Sequence, residues 1–310
     1  MRVVVAGLGV QGYKRRKFAG PDFVASVDPV NNEADFKSLK DVPLDCYDAV
    51  LACIPDEPKF ELLSYCIANG KHVLVEKPLW MHDESEIIRL ETEAKRNNLV
   101  VYTAYNHRFE PHFVHMRDLI QSGELGRVYS CHMFYGNGTA RLVKESGWRD
   151  QGAGVLPDLG SHLLDTCRFW FGDIDPQFAV TAANTFENAS PDHVVIASEG
   201  IIPRIELEMT LLMWRNHFTC DILAEKGTAH ITSLCKWGPS SFIRRARILP
   251  SGRPPEVVET LTQDDPTWEI EYKSFRSLCE TRATTNLSND LWLHRVLSRL
   301  SADAVKRVAS

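Results

Sequence analysis

The chain has 310 residues, 44% of them hydrophobic, and a formal net charge of -6 at pH 7. This length and composition allow one or two buried cores, and length alone favours two domains. The acidic balance excludes the basic surface expected of a protein that binds nucleic acid or an anionic membrane. A small molecule is therefore the expected partner.

The eight cysteines are scattered without a C-x-x-C pair. Their spacing indicates neither a zinc site nor a disulfide framework, and it favours a reducing compartment. The N-terminal residues run directly into a predicted strand, and the sequence contains no apolar run long enough to span a bilayer. We therefore expect a cytoplasmic protein that is not exported by a cleavable signal.

The first third of the chain alternates short β-branched strands with helical patterns. The predicted strands cover residues 2–6, 23–27, 48–54, 72–75 and 99–103, and the predicted helices cover residues 11–19, 57–69 and 83–97. Such alternation is typical of a parallel sheet with helices on both of its faces. We assign residues 1–108 to an N-terminal α/β domain with a Rossmann fold.

After about residue 110 the pattern changes to a run of strands with few helices between them. A strand begins within "GRVYSCHMFYG" at 126–136, and further strands are predicted at 178–187, 192–199, 204–214, 217–224, 228–234 and 241–249. Helices are predicted at 111–122, 154–172, 268–283 and 288–308. This pattern predicts an open, mostly antiparallel sheet. Residues 109–310 are therefore assigned to a C-terminal α+β domain.

A glycine-rich turn follows the first strand directly. Gly7, Gly9 and Gly12 have G-x-G-x-x-G spacing and enclose Val10 and Gln11 at the start of a helix. Such a turn brings backbone N–H groups and the helix N-terminus to a pyrophosphate, so these five residues are predicted to bind a dinucleotide. The alternative is a glycine-rich turn of another α/β protein.

Asp28 ends the second strand about twenty residues further on. At this position a carboxylate binds the adenosine ribose hydroxyls and repels a 2′-phosphate, which favours NAD over NADP. The basic run Lys14 to Lys17 weakens that preference, because it is either a solvated helix face or a phosphate clamp. The short segment between Val30 and Asp45 leaves little room for a full crossover helix.

Glu76, Lys77 and Pro78 end a strand at the edge where ligands collect in open α/β sheets. Proline restricts Lys77 to extended conformations, so its ammonium would be held in one direction. Ile54 and Pro55 end the neighbouring strand, and with Glu76 and Lys77 they complete the predicted cofactor site. Lys77 could equally be a surface lysine before a turn.

Six segments that run in order through both predicted domains resemble the glucose-fructose oxidoreductase/inositol dehydrogenase family, Gfo/Idh/MocA. They are "GLGVQG", "VLVEKPL" at 73–79, "YNHRFEPHF" at 105–113, "LIQSGELGRV" at 119–128, "GAGVLPDLGSHLLDTCRFWFG" at 152–172 and "EKGTAHI" at 225–231. The resemblance implies an NAD(P)-dependent oxidoreductase that acts on CH–OH groups. It also implies that the domain of residues 109–310 binds substrate and forms the contacts of a homodimer or homotetramer.

The family's D-x-x-x-H pattern matches Asp158 and His162, and the resemblance implies that both act with Lys77 in catalysis. On a regular helix of about 100° per residue, Asp158, His162 and Asp165 would share a stripe about 60° wide. A cleft-lining helix would present such a stripe to a ligand. The alternatives are that Asp158 caps the helix, His162 is a satisfied core histidine and Asp165 pairs with Arg168.

The implied reaction is hydride transfer from an alcohol to the nicotinamide. His162 would accept the hydroxyl proton as general base, and Lys77 would stabilise the developing alkoxide. Asp158 would orient the imidazole or favour its protonated form. The reaction needs no metal.

Arginines suit phosphate groups and tryptophans can stack on a sugar or base. Together with the catalytic residues, the expected substrate contacts are Asn106, His107, Arg108, Arg141, Trp148 and Arg149. For Trp214 we favour core packing instead. Segments such as "CIPDEPK" are most similar to bacterial UDP-N-acetylglucosamine 3-dehydrogenases.

That similarity implies oxidation of the 3-hydroxyl of UDP-N-acetylglucosamine to a 3-keto sugar. A partner aminotransferase would then make the 3-amino sugar used in lipid A. One alternative is an NAD-dependent dehydrogenase of an inositol, a free sugar or another nucleotide sugar. A different class of alternative is a catalytically silent NAD-binding sensor.

Overall fold

The computed structural model describes residues 1–147, 149–174, 177–200 and 202–309. The contacts within the chain divide it into two compact units. The first unit consists of residues 1–106 and 266–295, and the second consists of residues 107–265 and 296–310.

The first unit is built on a five-stranded parallel sheet with the strand order β2-β1-β3-β4-β5. Its central strands are buried on both faces, which explains their continuous runs of Val, Leu and Ala. The strands are β1 (Val3–Ala6), β2 (Phe23–Val27), β3 (Ala49–Ala52), β4 (His72–Glu76) and β5 (Val101–Ala104).

Three helices connect these strands: α1 (Val10–Ala19), α2 (Lys59–Ala68) and α3 (Glu84–Arg96). Residues 28–48, all of which are described, contain no α-helix between β2 and β3. Two short 3-10 turns, Leu39–Asp41 and Leu44–Cys46, lie there instead. This connection is therefore too short for a full crossover helix, as its length predicts.

The segment 266–295 contains α7 (Thr267–Thr281) and the first part of α8 (Ser288–Val308). The sequence analysis places it in the second domain, but its contacts group it with the first unit. Tyr272 and Phe275 of α7 are buried in one core cluster with Val3 and Val5 of β1. The segment groups with the first unit because its apolar face covers the parallel sheet.

The second unit is built on an eight-stranded sheet with the order β13-β12-β11-β10-β6-β9-β8-β7. The pair β6 and β9 is parallel, and the other neighbouring strands are antiparallel. This architecture confirms the predicted mostly antiparallel sheet. The strands are β6 (Val128–Gly136), β7 (Gln177–Asn184), β8 (His193–Glu199), β9 (Arg204–Thr210), β10 (His217–Ala224), β11 (Gly227–Thr232), β12 (Ser240–Ala246) and β13 (Glu256–Leu261).

Helices α4 (Pro111–Gln121), α5 (Ala140–Lys144) and α6 (Ser161–Phe171) belong to the second unit, together with the end of α8 from Val296 onward. Phe113 of α4 packs edge-on against Trp170 of α6 at 5.2 Å between ring centroids, and against Phe218 of β10 at 4.9 Å. The Trp170 indole also donates a hydrogen bond to the carbonyl of Phe113. These contacts hold α6 against α4 and the sheet.

The edge strand β13 is absent from the sequence prediction. All but the last of its six residues are exposed, so it lacks the alternation of apolar and polar residues that identifies a half-buried strand. Within the described ranges, every helix is too short or too polar to cross a membrane.

Candidate functional site

The glycine-rich loop between β1 and α1 needs two of its glycines for steric reasons. Gly7 has a φ of 89°, and a Cβ built on it would lie 2.2 Å from the carbonyl oxygen of Cys53. A Cβ on Gly12 would lie 1.9 Å from the carbonyl oxygen of Gly7. Any side chain at these positions would push the loop away from β3 or from the helix, so both glycines fix the turn.

Gly9 differs from them, because no described atom lies within 4 Å of a Cβ built on it. The residue is exposed, and so are Val10 and Gln11 in the first turn of α1. The loop therefore leaves an open space in front of the helix N-terminus. A pyrophosphate can approach the backbone N–H groups there, which is the fit that an NAD(P) cofactor requires.

Asp28 links the end of β2 to this loop. One carboxylate oxygen accepts a hydrogen bond from the N–H of Leu8 at 2.8 Å, and the other accepts from Val30 and Asn31. Burial raises the pKa of Asp28, but these three N–H groups outweigh burial, and the pKa lies below its ordinary value. Asp28 is therefore ionised at neutral pH and still has lone pairs for ribose hydroxyls.

Ile54 and Pro55 follow β3, and Glu76 and Lys77 lie at the end of β4. All four lie at the carboxyl edge of the parallel sheet, where Gly7 follows β1. The peptide bond between Lys77 and Pro78 is cis. The sheet thus places the predicted cofactor residues of the first unit along one edge.

Two buried cations hold this edge. Arg15 is 1% exposed and donates to Glu76 and to Glu271 of α7, each at 2.7 Å. Burial lowers the pKa of Arg15, but the two carboxylates outweigh it and raise the pKa, so the guanidinium stays charged. The Nζ of Lys59, 2% exposed, donates to the Pro78 carbonyl at 2.7 Å.

Arg15 corrects the interpretation of the basic run. Its neighbours Lys14, Arg16 and Lys17 are exposed, as a solvated helix face requires, but Arg15 points into the protein. It is neither solvated nor a phosphate clamp. Its second carboxylate comes from a residue 256 positions away, which the local sequence does not reveal.

In the second unit, the predicted catalytic helix is irregular at its start. Residues Leu156–Gly160 form a π-helical turn, and the regular helix α6 begins at Ser161. Asp158 therefore does not share one regular α-helical stripe with His162 and Asp165, as the sequence analysis assumed. Its side chain is 40% exposed, whereas the Asp165 side chain is 1% exposed.

Asp158 and Asp165 each lie beside an arginine from outside helix α6. Arg108 donates to both oxygens of Asp165, at 2.6 Å from Nη2 and 2.9 Å from Nε. Arg168 pairs with Asp173. Asp165 thus anchors Arg108, a predicted substrate residue, to α6.

Val155 and Gly160 occupy the N-cap positions of the π-helical turn and of α6, so the N-cap residue is not Asp158. The Oδ2 of Asp158 lies 3.7 Å from Nη2 of Arg149, another predicted substrate residue. The two predicted residues are therefore brought together by their opposite charges.

His162 is 8% exposed and stacks on His107, with 4.0 Å between ring centroids and 20° between ring planes. The Nζ of Lys236 lies 3.3 Å from Nε2 of His107 and 3.4 Å from the hydroxyl of Tyr135. This group combines two imidazoles, an ammonium and a phenol. It can bind hydroxyl groups and move a proton.

Lys236 and Tyr135 are not among the predicted site residues. Lys236 lies in a 3-10 turn and Tyr135 in strand β6, and neither belongs to a motif with a predicted function. In "CKW" at 235–237 a lysine lies between two apolar residues, which is only a weak indication of a functional site.

The remaining predicted residues are distributed as follows. Asn106, in the first unit, is buried and donates to Thr267 at 2.9 Å. Arg141 is 89% exposed and lies 3.4 Å from Glu145 one turn further along α5. Trp148 lies outside the described residues. Trp214 is fully exposed in the connection from β9 to β10, so its predicted core role is wrong.

Comparison with protein families gives two matches in chain order. Residues 1–105 match the family "Oxidoreductase family, NAD-binding Rossmann fold". Residues 113–230 match the family "GFO/IDH/MocA C-terminal domain". The two matches fall on the Rossmann sheet and on the second unit described above.

Comparison with curated proteins gives relatives of moderate similarity. Inositol 2-dehydrogenase 4 of Saccharopolyspora erythraea is 25% identical over 254 residues, which cover 74% of this chain and 73% of that protein. An uncharacterised oxidoreductase of Schizosaccharomyces pombe is 33% identical over 130 residues. That alignment covers 40% of this chain but only 34% of the yeast protein's length.

Among solved structures, levoglucosan dehydrogenase in complex with NADH and levoglucosan superposes with a TM-score of 0.80. The match covers 99% of this chain and 97% of that one at 17% sequence identity. At this identity, the superposition establishes a common fold.

Proposed function

Because the chain belongs to the Gfo/Idh/MocA family of NAD(P)-dependent oxidoreductases, we propose that it oxidises a secondary alcohol of a cyclic polyol or free sugar with NAD. The observation that carries this proposal is the alignment with an inositol dehydrogenase across three quarters of the chain. The open glycine-rich loop supports the cofactor part, and the imidazole pair of His107 and His162 supports the proton-transfer part.

NAD is proposed over NADP because of Asp28. Its carboxylate is held by three backbone N–H groups and is ionised at neutral pH. A 2′-phosphate would meet this negative charge, whereas ribose hydroxyls can donate to it. Arg15, the buried member of the basic run, is already paired with two carboxylates and offers no charge to a phosphate.

The bound cofactor supplies a hydride acceptor, and the protein supplies the proton transfer. We propose that His162 removes the hydroxyl proton as general base, because neutral imidazole has an ordinary pKa near neutrality. Lys77 would stabilise the developing negative charge on the substrate oxygen. The proton would pass from the substrate hydroxyl to the His162 ring, and in ketone reduction the same ring would return it.

Asp158 would act on the charge of the site rather than as a base. Its negative charge would favour the protonated form of His162. The same carboxylate lies 3.7 Å from the Arg149 guanidinium, which it can orient. Arg108, fixed by Asp165, and Asn106 would contact substrate hydroxyls.

For the substrate, a polyol or free sugar is better supported than a nucleotide sugar. Arg141 and Arg149 each lie beside a carboxylate, Glu145 at 3.4 Å and Asp158 at 3.7 Å, which offsets part of the charge that they could offer to a phosphate. The relatives described above act on an inositol or on levoglucosan by their names. Oxidation of UDP-N-acetylglucosamine, and with it the aminotransferase and lipid A, is the second candidate, motivated by the similarity of short segments.

A substrate panel tests the proposal. The purified protein is mixed with NAD and, in turn, with myo-inositol, scyllo-inositol, D-glucose, levoglucosan and UDP-N-acetylglucosamine, and NADH formation is followed. We expect turnover with at least one inositol or free sugar. Turnover with UDP-N-acetylglucosamine alone would instead support the nucleotide-sugar candidate.

The panel also separates an enzyme from a silent NAD-binding sensor. A sensor binds NAD, which calorimetry detects, but it forms no NADH with any alcohol. Assembly as a homodimer or homotetramer stays a prediction that light scattering of the same preparation checks.

A further inference from the structure

Two histidines and a glutamate meet on the second unit, apart from the residues discussed so far. His112 and His115 lie three residues apart on α4, so they share one helix face. Glu259 comes from the edge strand β13. One ring nitrogen of each histidine and one carboxylate oxygen all lie within 4.8 Å of one another.

The neighbours of these residues fix them in place. Phe242 of β12, the register partner of Glu259, stacks on the His115 ring with 4.0 Å between centroids. The same phenylalanine ring lies 5.9 Å from His112. The Nδ1 of His115 lies 3.2 Å from the Glu259 carboxylate. One aromatic ring thus packs against both imidazoles, and His115 lies beside the edge-strand carboxylate.

One ring nitrogen of His112 is available to a ligand. The residue is 1% exposed, and among the described residues its Nε2 atom has no hydrogen-bond partner. Burial lowers the pKa of His112, although the backbone of Ser240 and the charge of Glu259 oppose this. A buried neutral imidazole with an unused nitrogen is the form of histidine that ligates metals.

We propose that His112, His115 and Glu259 bind a divalent transition-metal ion of the zinc class. Two imidazoles and one carboxylate form a ligand set that zinc uses in proteins, with water in the fourth position. In a tetrahedral site the ligand atoms lie about 3.4 Å apart, given metal–ligand distances of about 2.0–2.2 Å. The distance of 3.2 Å between His115 and Glu259 already fits this geometry.

The ion can enter from solvent and would have a structural effect. His115 and Glu259 are each about half exposed, with side-chain exposures of 46% and 49%. A bound ion would join the exposed edge strand β13 to helix α4. Because the ion binds the folded form, it should raise the midpoint of thermal unfolding as its concentration increases.

The test uses the full chain with Cys46→Ser as background, because Cys46 is an exposed thiol that could itself bind zinc. Zn²⁺ binding is measured by calorimetry, and Co²⁺ is added separately to record its visible absorption. We expect one Zn²⁺ per chain and Co²⁺ bands of a nitrogen and oxygen site, without the charge-transfer band of a thiolate.

Three variants make the test specific. His115→Ala and Glu259→Gln change half-exposed side chains, so the fold should survive, and each should weaken Zn²⁺ binding at least about tenfold. The same variants should lose the zinc-dependent rise in Tm. His82→Ala removes a histidine that is 90% exposed beside Asp83, and it should leave both readouts unchanged.

The proposal is overturned if the parent protein shows no saturable Zn²⁺ binding. It is equally overturned if the parent, His115→Ala and Glu259→Gln bind Zn²⁺ with the same affinity. Neither readout involves dehydrogenase activity, so the metal site stands or falls independently of the proposed reaction.

Discussion

The glycine-rich loop of the first unit and helix α6 of the second unit are built in opposite ways. The loop exposes its backbone because Gly7, Gly9 and Gly12 have no side chains. Helix α6 instead presents side chains that contact residues outside the helix: Asp165 contacts Arg108, and His162 contacts His107. A backbone site can be identified from a local motif, whereas a side-chain site depends on contacts that the motif does not contain.

The largest expected effect separates chemistry from cofactor binding. His162→Ala should reduce kcat about 10²- to 10⁴-fold, because it removes the proposed general base. NAD affinity should change little, since the proposed cofactor contacts are made by the backbone of the glycine-rich loop and not by His162. Steady-state kinetics and NAD titration on the same preparation check both expectations. A wild-type kcat in this variant would contradict the proposed role.

The next effect concerns the buried cation at the sheet edge. Arg15→Met removes the guanidinium that pairs with the fully buried Glu271, so we expect a loss of about 3–5 kcal/mol in unfolding free energy. The exposed neighbour is the matched control, and Arg16→Met should cost less than about 1 kcal/mol. Urea denaturation measures both. Equal losses in the two variants would show that the buried ion pairs of Arg15 contribute no more to the unfolding free energy than the exposed Arg16 side chain does.

A smaller effect tests the open space in the loop. A methyl group at Gly9 meets no described atom within 4 Å, so Gly9→Ala should fold with an unchanged Tm. The methyl group would occupy the approach of the pyrophosphate and weaken NAD binding about tenfold or more. Unchanged NAD affinity together with an unchanged Tm would show that the cofactor does not approach this backbone.

The smallest effect concerns Asp28. Because its folded pKa is below the unfolded value, its contribution to stability is present above the unfolded pKa and is lost as pH falls through the folded pKa. Asp28→Asn should therefore flatten the acid limb of a stability profile. It should also raise the NADP to NAD efficiency ratio about tenfold.

Asp35→Asn is the control for Asp28. Asp35 also has a lowered pKa, chiefly because the hydroxyl and N–H of Ser26 donate to it, but among the described residues it has no hydrogen bond to the glycine-rich loop. It should flatten the acid limb without a change in cofactor preference. If Asp35→Asn shifted cofactor preference as much as Asp28→Asn does, the proposed contact between Asp28 and the ribose would be wrong.

Much of the fold could be predicted from the sequence, because strand runs, glycine spacing and proline positions are local signals. The edge strand β13 could not, since its exposed residues carry no periodic pattern. The grouping of α7 with the first unit also escaped prediction. It depends on contacts of Tyr272 and Phe275 with β1, more than 260 residues earlier in the chain.

The candidate site divides in the same way. Gly7, Gly12 and Asp28 lie where their motif places them. The stripe of Asp158, His162 and Asp165 was drawn on a regular helix, and the π-helical turn at Leu156–Gly160 changes its geometry. The burial of Arg15 and the position of Lys236 beside His107 follow from tertiary packing alone.

The central claim is that this protein transfers hydride from the C–H of a secondary alcohol to NAD. The most direct measurement uses an alcohol from the panel with deuterium on the carbinol carbon and follows the label by mass spectrometry. Direct hydride transfer predicts one deuterium in each NADH formed and a ketone as the product. NADH without deuterium, or a labelled alcohol left unchanged while NAD is bound, would exclude this reaction.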